Sequence, residues 1–157
     1  MATTETEPKL SLLDRLIDED PDSELDPPTN GEDLRRRVRE SVQRDIDNLL
    51  NTRSWLGTWP RDLTHIRASI VNYGLPDTSH VAIGNEDVQR VLSETVKMAI
   101  QIFEPRLAYT HVMMIAGPDS RSAKLVINAQ LRGDQEPVFF GRRVADSKLT
   151  DLTRERR

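Results

Sequence analysis

An α+β fold, with a helical N-terminal half packed on a small C-terminal antiparallel sheet, is the architecture this 157-residue sequence predicts. Two periodicities carry that reading. From Leu34 to Leu50 and from Val88 to Phe103 apolar residues recur at helical intervals, and from Leu107 onward they alternate as in a strand. The third observation is the junction between the two regimes, Phe103-Glu104-Pro105-Arg106-Leu107. Proline restricts the residue before it to extended conformations, so Glu104 has to leave the helix and the chain turns there. A carboxylate and a guanidinium two residues apart on a rigid corner make a candidate contact site. The alternative is a local helix-end salt bridge, worth roughly 0–1 kcal/mol if exposed.

The length suits one domain with a real core. The absence of cysteine excludes a disulfide framework, a thiolate zinc site and a Cys nucleophile, and is compatible with a reducing compartment. A polar, acidic start and the lack of any apolar run near the roughly 18 residues that span a bilayer point to a soluble, cytoplasmic chain without membrane insertion. Charge is uneven: residues 1–30 hold nine acidic side chains against Lys9 and Arg15, whereas the remainder is slightly basic. Such a segment buries too little apolar surface to offset its ordering entropy, so 1–30 is expected to be flexible and 31–144 to be the folded domain. Residues 145–157 read as a charged tail.

Within the acidic segment, Leu10 to Ile17 is an exception. Its apolar residues, either 10, 13, 16 and 17 or Leu12, Leu13, Leu16 and Ile17, recur at near-helical spacing. A helix this short is not stable alone in water, so it folds against something: a partner's groove, or its own domain.

The first long helix is signalled by a capping box, Thr29-Asn30-Gly31-Glu32, then by Leu34, Val38, Val42, Ile46, Leu49 and Leu50 on one stripe. Arg35, Arg36, Arg37, Arg39 and Arg44, with Asp33, Glu40, Asp45 and Asp47, fall to the opposite, solvated face. Mixed signs without interleaved aromatics argue against nucleic-acid binding. Thr52 to Pro60, holding Trp55 and Trp59, reads as a loop with aromatic packing or an interface anchor. A second helix is predicted over 61–71 with Leu63, Ile66, Ile70 and Val71 inward, stopping at Asn72-Tyr73-Gly74-Leu75-Pro76-Asp77 where Gly74 takes a left-handed conformation. Asn85 caps a third helix, with Val88, Val91, Leu92, Val96, Ala99, Ile100 and Phe103 on one face.

After the corner, Leu107, Tyr109, His111, Met113 and Ile115 alternate with Ala108, Thr110, Val112 and Met114, both faces being fairly apolar, up to Gly117-Pro118-Asp119. The next strand puts Ala123, Leu125, Ile127, Ala129 and Leu131 inward and Lys124, Asn128, Gln130 and Arg132 outward before the Gly133-Asp134 turn. A third strand, 137–144, closes a meander whose edges need protection or serve for docking, with Arg142 and Arg143 as edge blockers.

Ser11-Leu12-Leu13-Asp14-Arg15-Leu16, the segment Ser41 to Arg53, Asn72 to Asp77 and Phe103 to Leu107 together resemble the TssE subunit family of the type VI secretion baseplate, which is similar to the small wedge protein of contractile phage tails and is often labelled lysozyme-like. The likeness runs from residue 10 to about 144 in order. It implies a structural subunit that connects the baseplate wedge to the contractile sheath and initiates sheath assembly. By the resemblance, Glu104, Pro105 and Arg106 bind the sheath subunits TssB and TssC. The same resemblance makes Leu12, Leu13, Leu16 and Ile17 the anchor to the wedge subunits TssF, TssG and TssK. The implied location is the cytoplasm, at a baseplate docked near the inner membrane of a Gram-negative bacterium.

The lysozyme-like label raises an alternative, a muramidase acting on peptidoglycan. Glycoside hydrolysis needs two carboxyl groups facing one cleft, roughly 5–5.5 Å apart in retaining and 6.5–9.5 Å in inverting enzymes. Glu104 is the best acid candidate, yet a neighbouring guanidinium favours the ionised form, whereas a general acid has to stay protonated. Asp62, Asp77, Glu86 and Asp87 are more simply turn or cap residues. His65, His80 and His111 lack metal-ligand spacing, and there is neither a glycine-rich phosphate loop nor a nucleophile elbow. No catalytic residue, metal or cofactor is therefore expected. A third reading, a freestanding adaptor that adds peptide strands to its sheet, differs from the baseplate role only in partner.

Overall fold

Asn30 starts the first long helix. Its side-chain oxygen accepts from the Asp33 N–H at 2.7 Å, so the cap is Asn30 and not the Thr29 from which a capping box would begin. The computed structural model describes residues 10–17, 22, 30–54, 62–77, 84–117, 122–133, 137–145 and 148–151. The sequence expectations for the linker at 18–29 apart from Asp22, the tryptophans, His80, and the residues that follow Gly117 and Gly133 lie outside them. A short helix, α1 (Leu12–Leu16), precedes α2 (Gly31–Asn51). The stripe predicted on α2 is the buried one: Val38, Val42, Ile46, Leu49 and Leu50 are all in the core.

The predicted second helix is broken. Only Thr64–Arg67 (α3) is α-helical, and a 3-10 turn follows at Ile70–Asn72. Ser69 is the physical reason: its backbone is extended and its hydroxyl donates to the Ile66 carbonyl at 2.8 Å, closing the helix early. Leu63, Ile70 and Val71, predicted inward, are consequently exposed. Gly74 has φ +110, and a Cβ there would meet the Thr52 carbonyl oxygen at 2.5 Å. That close approach lets Leu75 exchange hydrogen bonds with Thr52 and Ser54 and ties the end of α2 to the turn.

The helix predicted after Asn85 is α4 (Glu86–Phe103), with the Asn85 side chain accepting from the Asp87 N–H at 2.9 Å. Val91, predicted inward, is exposed, while Val96, Ala99 and Ile100 are buried. From the corner the chain enters β1 (Leu107–Ala116), β2 (Ser122–Leu131), β3 (Pro137–Ala145) and β4 (Lys148–Asp151), an antiparallel meander in chain order. The fourth strand lies in the segment that composition assigns to the tail. It pairs Arg142 with Asp151 and Arg143 with Thr150, so β3 is interior and neither arginine guards an edge.

Simple alternation also fails in β1. One extra residue at Tyr109-Thr110 opposes Ala129, and Tyr109 takes φ +52. A bulge shifts the facing of the residues beyond it. Leu107 points inward before it and Val112 after it, while Tyr109 is 87% exposed. The β2 alternation holds throughout, with Ala123, Leu125, Ile127, Ala129 and Leu131 buried against α2 and α4 in one core.

Candidate functional site

Pro105 ends α4 after Glu104 N–H has donated to the Ile100 carbonyl at 2.8 Å, and the next residues swing directly into β1. The corner is closed from β2 as well. Arg132 donates from Nε to the Pro105 carbonyl at 2.8 Å and from its backbone N–H to the Arg106 carbonyl at 2.9 Å.

Within that frame Glu104 and Arg106 face each other, but not as an exposed pair. Glu104 is only 4% exposed. The Arg106 side chain donates to it twice, Nε to Oε1 at 2.7 Å and Nη2 to Oε2 at 2.6 Å, in the bidentate geometry that suits a guanidinium and a carboxylate. Arg106 then reaches α2: Nη2 donates to Asp45 Oδ2 at 2.6 Å and Nη1 to Ser41 Oγ at 2.9 Å. Hydrogen bonding to Glu104, outweighing the cost of burial and joined by Asp45, makes the guanidinium still harder to deprotonate than an ordinary arginine. The pair is therefore a pin that fastens the helix–strand corner to α2. What the corner presents to solvent is Pro105 and the outer part of Arg106.

Asp45 and Ser41 were not legible as site residues. Charge patterning puts Asp45 on the solvated face, yet it sits at the stripe's margin beneath Arg106, next to a Tyr73 whose hydroxyl approaches the Asp45 carbonyl at 3.5 Å. Burial, with the nearby charges of Asp45 and Glu104, pushes the Tyr73 hydroxyl up from its ordinary value. The available signal was Ser41 itself, a polar residue on the apolar stripe beside Val38 and Val42, and it is buried.

Ser41 also joins the second predicted site. In α1, Ser11 and Asp14 form a capping box, and the Asp14 carboxylate in addition accepts from Ser41 Oγ and from Arg44 Nη2 on α2. Burial pushes the Asp14 carboxyl up, but the Arg44, Ser11 and Ser41 hydrogen bonds outweigh that and hold it well below the usual carboxylate range. Leu10 packs against the core, and a pocket of about 130 Å³ remains where Leu10, Asp14 and Ile17 meet Arg37, Ser41 and Arg44. The helix thus docks on its own domain by its polar side. Its apolar side faces out, with Leu12 77%, Leu13 59%, Leu16 81% and Ile17 50% exposed.

The residues predicted for both sites therefore converge on one polar cluster around Ser41, although the surfaces they expose are distinct. Among the described residues no group of three or more His, Cys, Asp or Glu is placed to hold a metal ion, and no helix is long and apolar enough to cross a membrane.

A comparison with curated proteins finds no match. Among solved structures, a chain from "The baseplate complex from the type VI secretion system" superposes with a TM-score of 0.53 at 18% identity, covering 74% of this chain and 97% of that one. The family model described as "Baseplate wedge protein gp25" matches residues 36–136, from the second turn of α2 through the corner and past the end of β2. That match spans well over half of the sequence, and the chain belongs to the baseplate wedge protein gp25 family.

Proposed function

We propose that the protein is a non-enzymatic subunit of a type VI secretion baseplate that joins the baseplate wedge to the contractile sheath and starts sheath assembly. Membership of a baseplate wedge family and the likeness to a chain of such a complex support the setting. The observation that carries the two-partner reading is α1: a helix with no buried residue is held in place by one carboxylate while its leucines stand in water. An apolar surface kept ordered and outward fits the groove of a wedge protein. The corner is the second contact. Pro105 and the outer part of Arg106 meet the sheath, and Glu104 acts through Arg106 as a positioning residue. β1, an edge strand among the described residues, lies directly after this corner and offers its flank for a sheath strand.

A pull-down with the purified sheath pair and wedge proteins tests this. Leu13→Asp/Leu16→Asp is expected to abolish wedge capture and keep sheath capture. Glu104→Met/Arg106→Met, which replaces both members of the buried pair so that neither charge is stranded, is expected to do the reverse. Undiminished capture of both partners by both variants, each folded by circular dichroism, contradicts the reading.

A further inference from the structure

The anchor helix and the corner share a hydroxyl. Ser41 Oγ has one proton, which goes to Asp14 Oδ2, and the same oxygen accepts from Arg106 Nη1 at 2.9 Å. With the proton committed to Asp14, the lone pairs are left for Arg106. A second route runs beside the first. Arg44 is held by Asp14 and stands 3.7 Å from Asp45 Oδ1, whose other oxygen is taken by Arg106 Nη2 at 2.6 Å. If Asp14 leaves, the Ser41 hydroxyl is free to rotate and Arg44 is free to compete with Arg106 for Asp45.

α1 has the character of a two-state element. It is five residues long, too short to persist by itself, and buries no residue. Asp14 serves both as its capping-box carboxylate and as its tether to α2. The tether and the leucines lie on different sides of the helix, so a partner that takes the leucines leaves Asp14 in place and adds its own contacts to the docked state.

We propose that Asp14 couples the two contact surfaces: docked α1 fixes Ser41 and Arg44 in the arrangement that orders Arg106, so capture of the outward leucines by a wedge partner tightens the corner for the sheath. The coupling is reciprocal, because a contact that orders Arg106 favours docked α1 by the same factor. The direction of this benefit rests on the two-partner reading above. The coupling itself is a property of the isolated chain.

It is measured without any partner, by NMR hydrogen exchange on the full chain, at the Arg106 N–H that donates to Glu104 Oε1 and the Leu107 N–H that donates to the Glu104 carbonyl. Asp14→Ala is expected to speed exchange at both amides by about 5-fold or more. In a Ser41→Ala background the same substitution is expected to do markedly less, since one of the two routes is already cut. Unchanged exchange at 106 and 107 overturns the proposal, as does an effect of equal size in both backgrounds, or a rise shared equally by core amides such as Val112 and Ile127. Should Ser41→Ala not fold, Arg106→Lys completes the cycle with Asp14→Ala. A flat result removes the coupling and leaves the two-partner reading intact, since that reading stands or falls on the pull-down.

Discussion

Arg106 satisfies acceptors on three residues at once, and the consequences of removing it differ from those of removing the ion pair as a whole. Arg106→Ala leaves the Glu104 carboxylate buried and uncompensated, which is expected to cost about 3–5 kcal/mol and to lower the melting temperature by about 6–20 °C. Glu104→Met/Arg106→Met strands no charge at Glu104, and Asp45, partly exposed, keeps water and Arg44. It should melt within about 5 °C of wild type. Thermal unfolding followed by circular dichroism ranks the two, and equal losses would remove the stranded-charge argument. Gly74→Ala is a separate residue-scale case, because positive φ and the Thr52 carbonyl both oppose a Cβ. A loss of about 1–3 kcal/mol in a denaturant titration is expected.

At the scale of elements, α1 depends on ionised Asp14. A carboxyl whose folded-state pKa is depressed contributes stability that is present above its unfolded value, about 3.9, and is lost as pH falls through the folded one. Docking of α1 should therefore persist from neutral pH down through pH 4 and fail only in stronger acid. Chemical shifts of the Ser11 and Asp14 amides report it, and an undocking midpoint at or above pH 4 would contradict the assigned hydrogen bonds. The elements also show what sequence can and cannot reveal. α2, α4 and β2 were legible because one face of each meets the core over most of its length, so hydrophobic period and burial largely coincide, Val91 near the start of α4 being the exception. The second helix was not, because Ser69 ends it through a local hydroxyl-to-carbonyl bond that periodicity does not register. The uninterrupted alternation expected of β1 fails because a bulge at Tyr109 requires φ +52 of a non-glycine residue, which no composition signal announces. The corner was legible from Pro105, but the inward direction of Glu104 was not, since its partner Arg106 is held by Ser41 and Asp45, about sixty residues away in the sequence.

For the whole molecule, one core shared by α2, α4 and the sheet supports the two proposed contact surfaces, whose solvent-facing residues lie outside it. Core truncation should therefore lower stability without selecting between partners: Ile46→Ala or Ile100→Ala is expected to cost about 2–5 kcal/mol while the folded fraction still captures both sheath and wedge proteins. The central claim is that the chain bridges wedge and sheath through these surfaces, and the most direct measurement is a count by electron microscopy of sheaths nucleated on reconstituted wedges. Wedges carrying the wild-type chain should seed sheaths, and wedges carrying a folded, wedge-bound Glu104→Met/Arg106→Met chain should seed few or none. Equal numbers of sheaths from both would contradict the account.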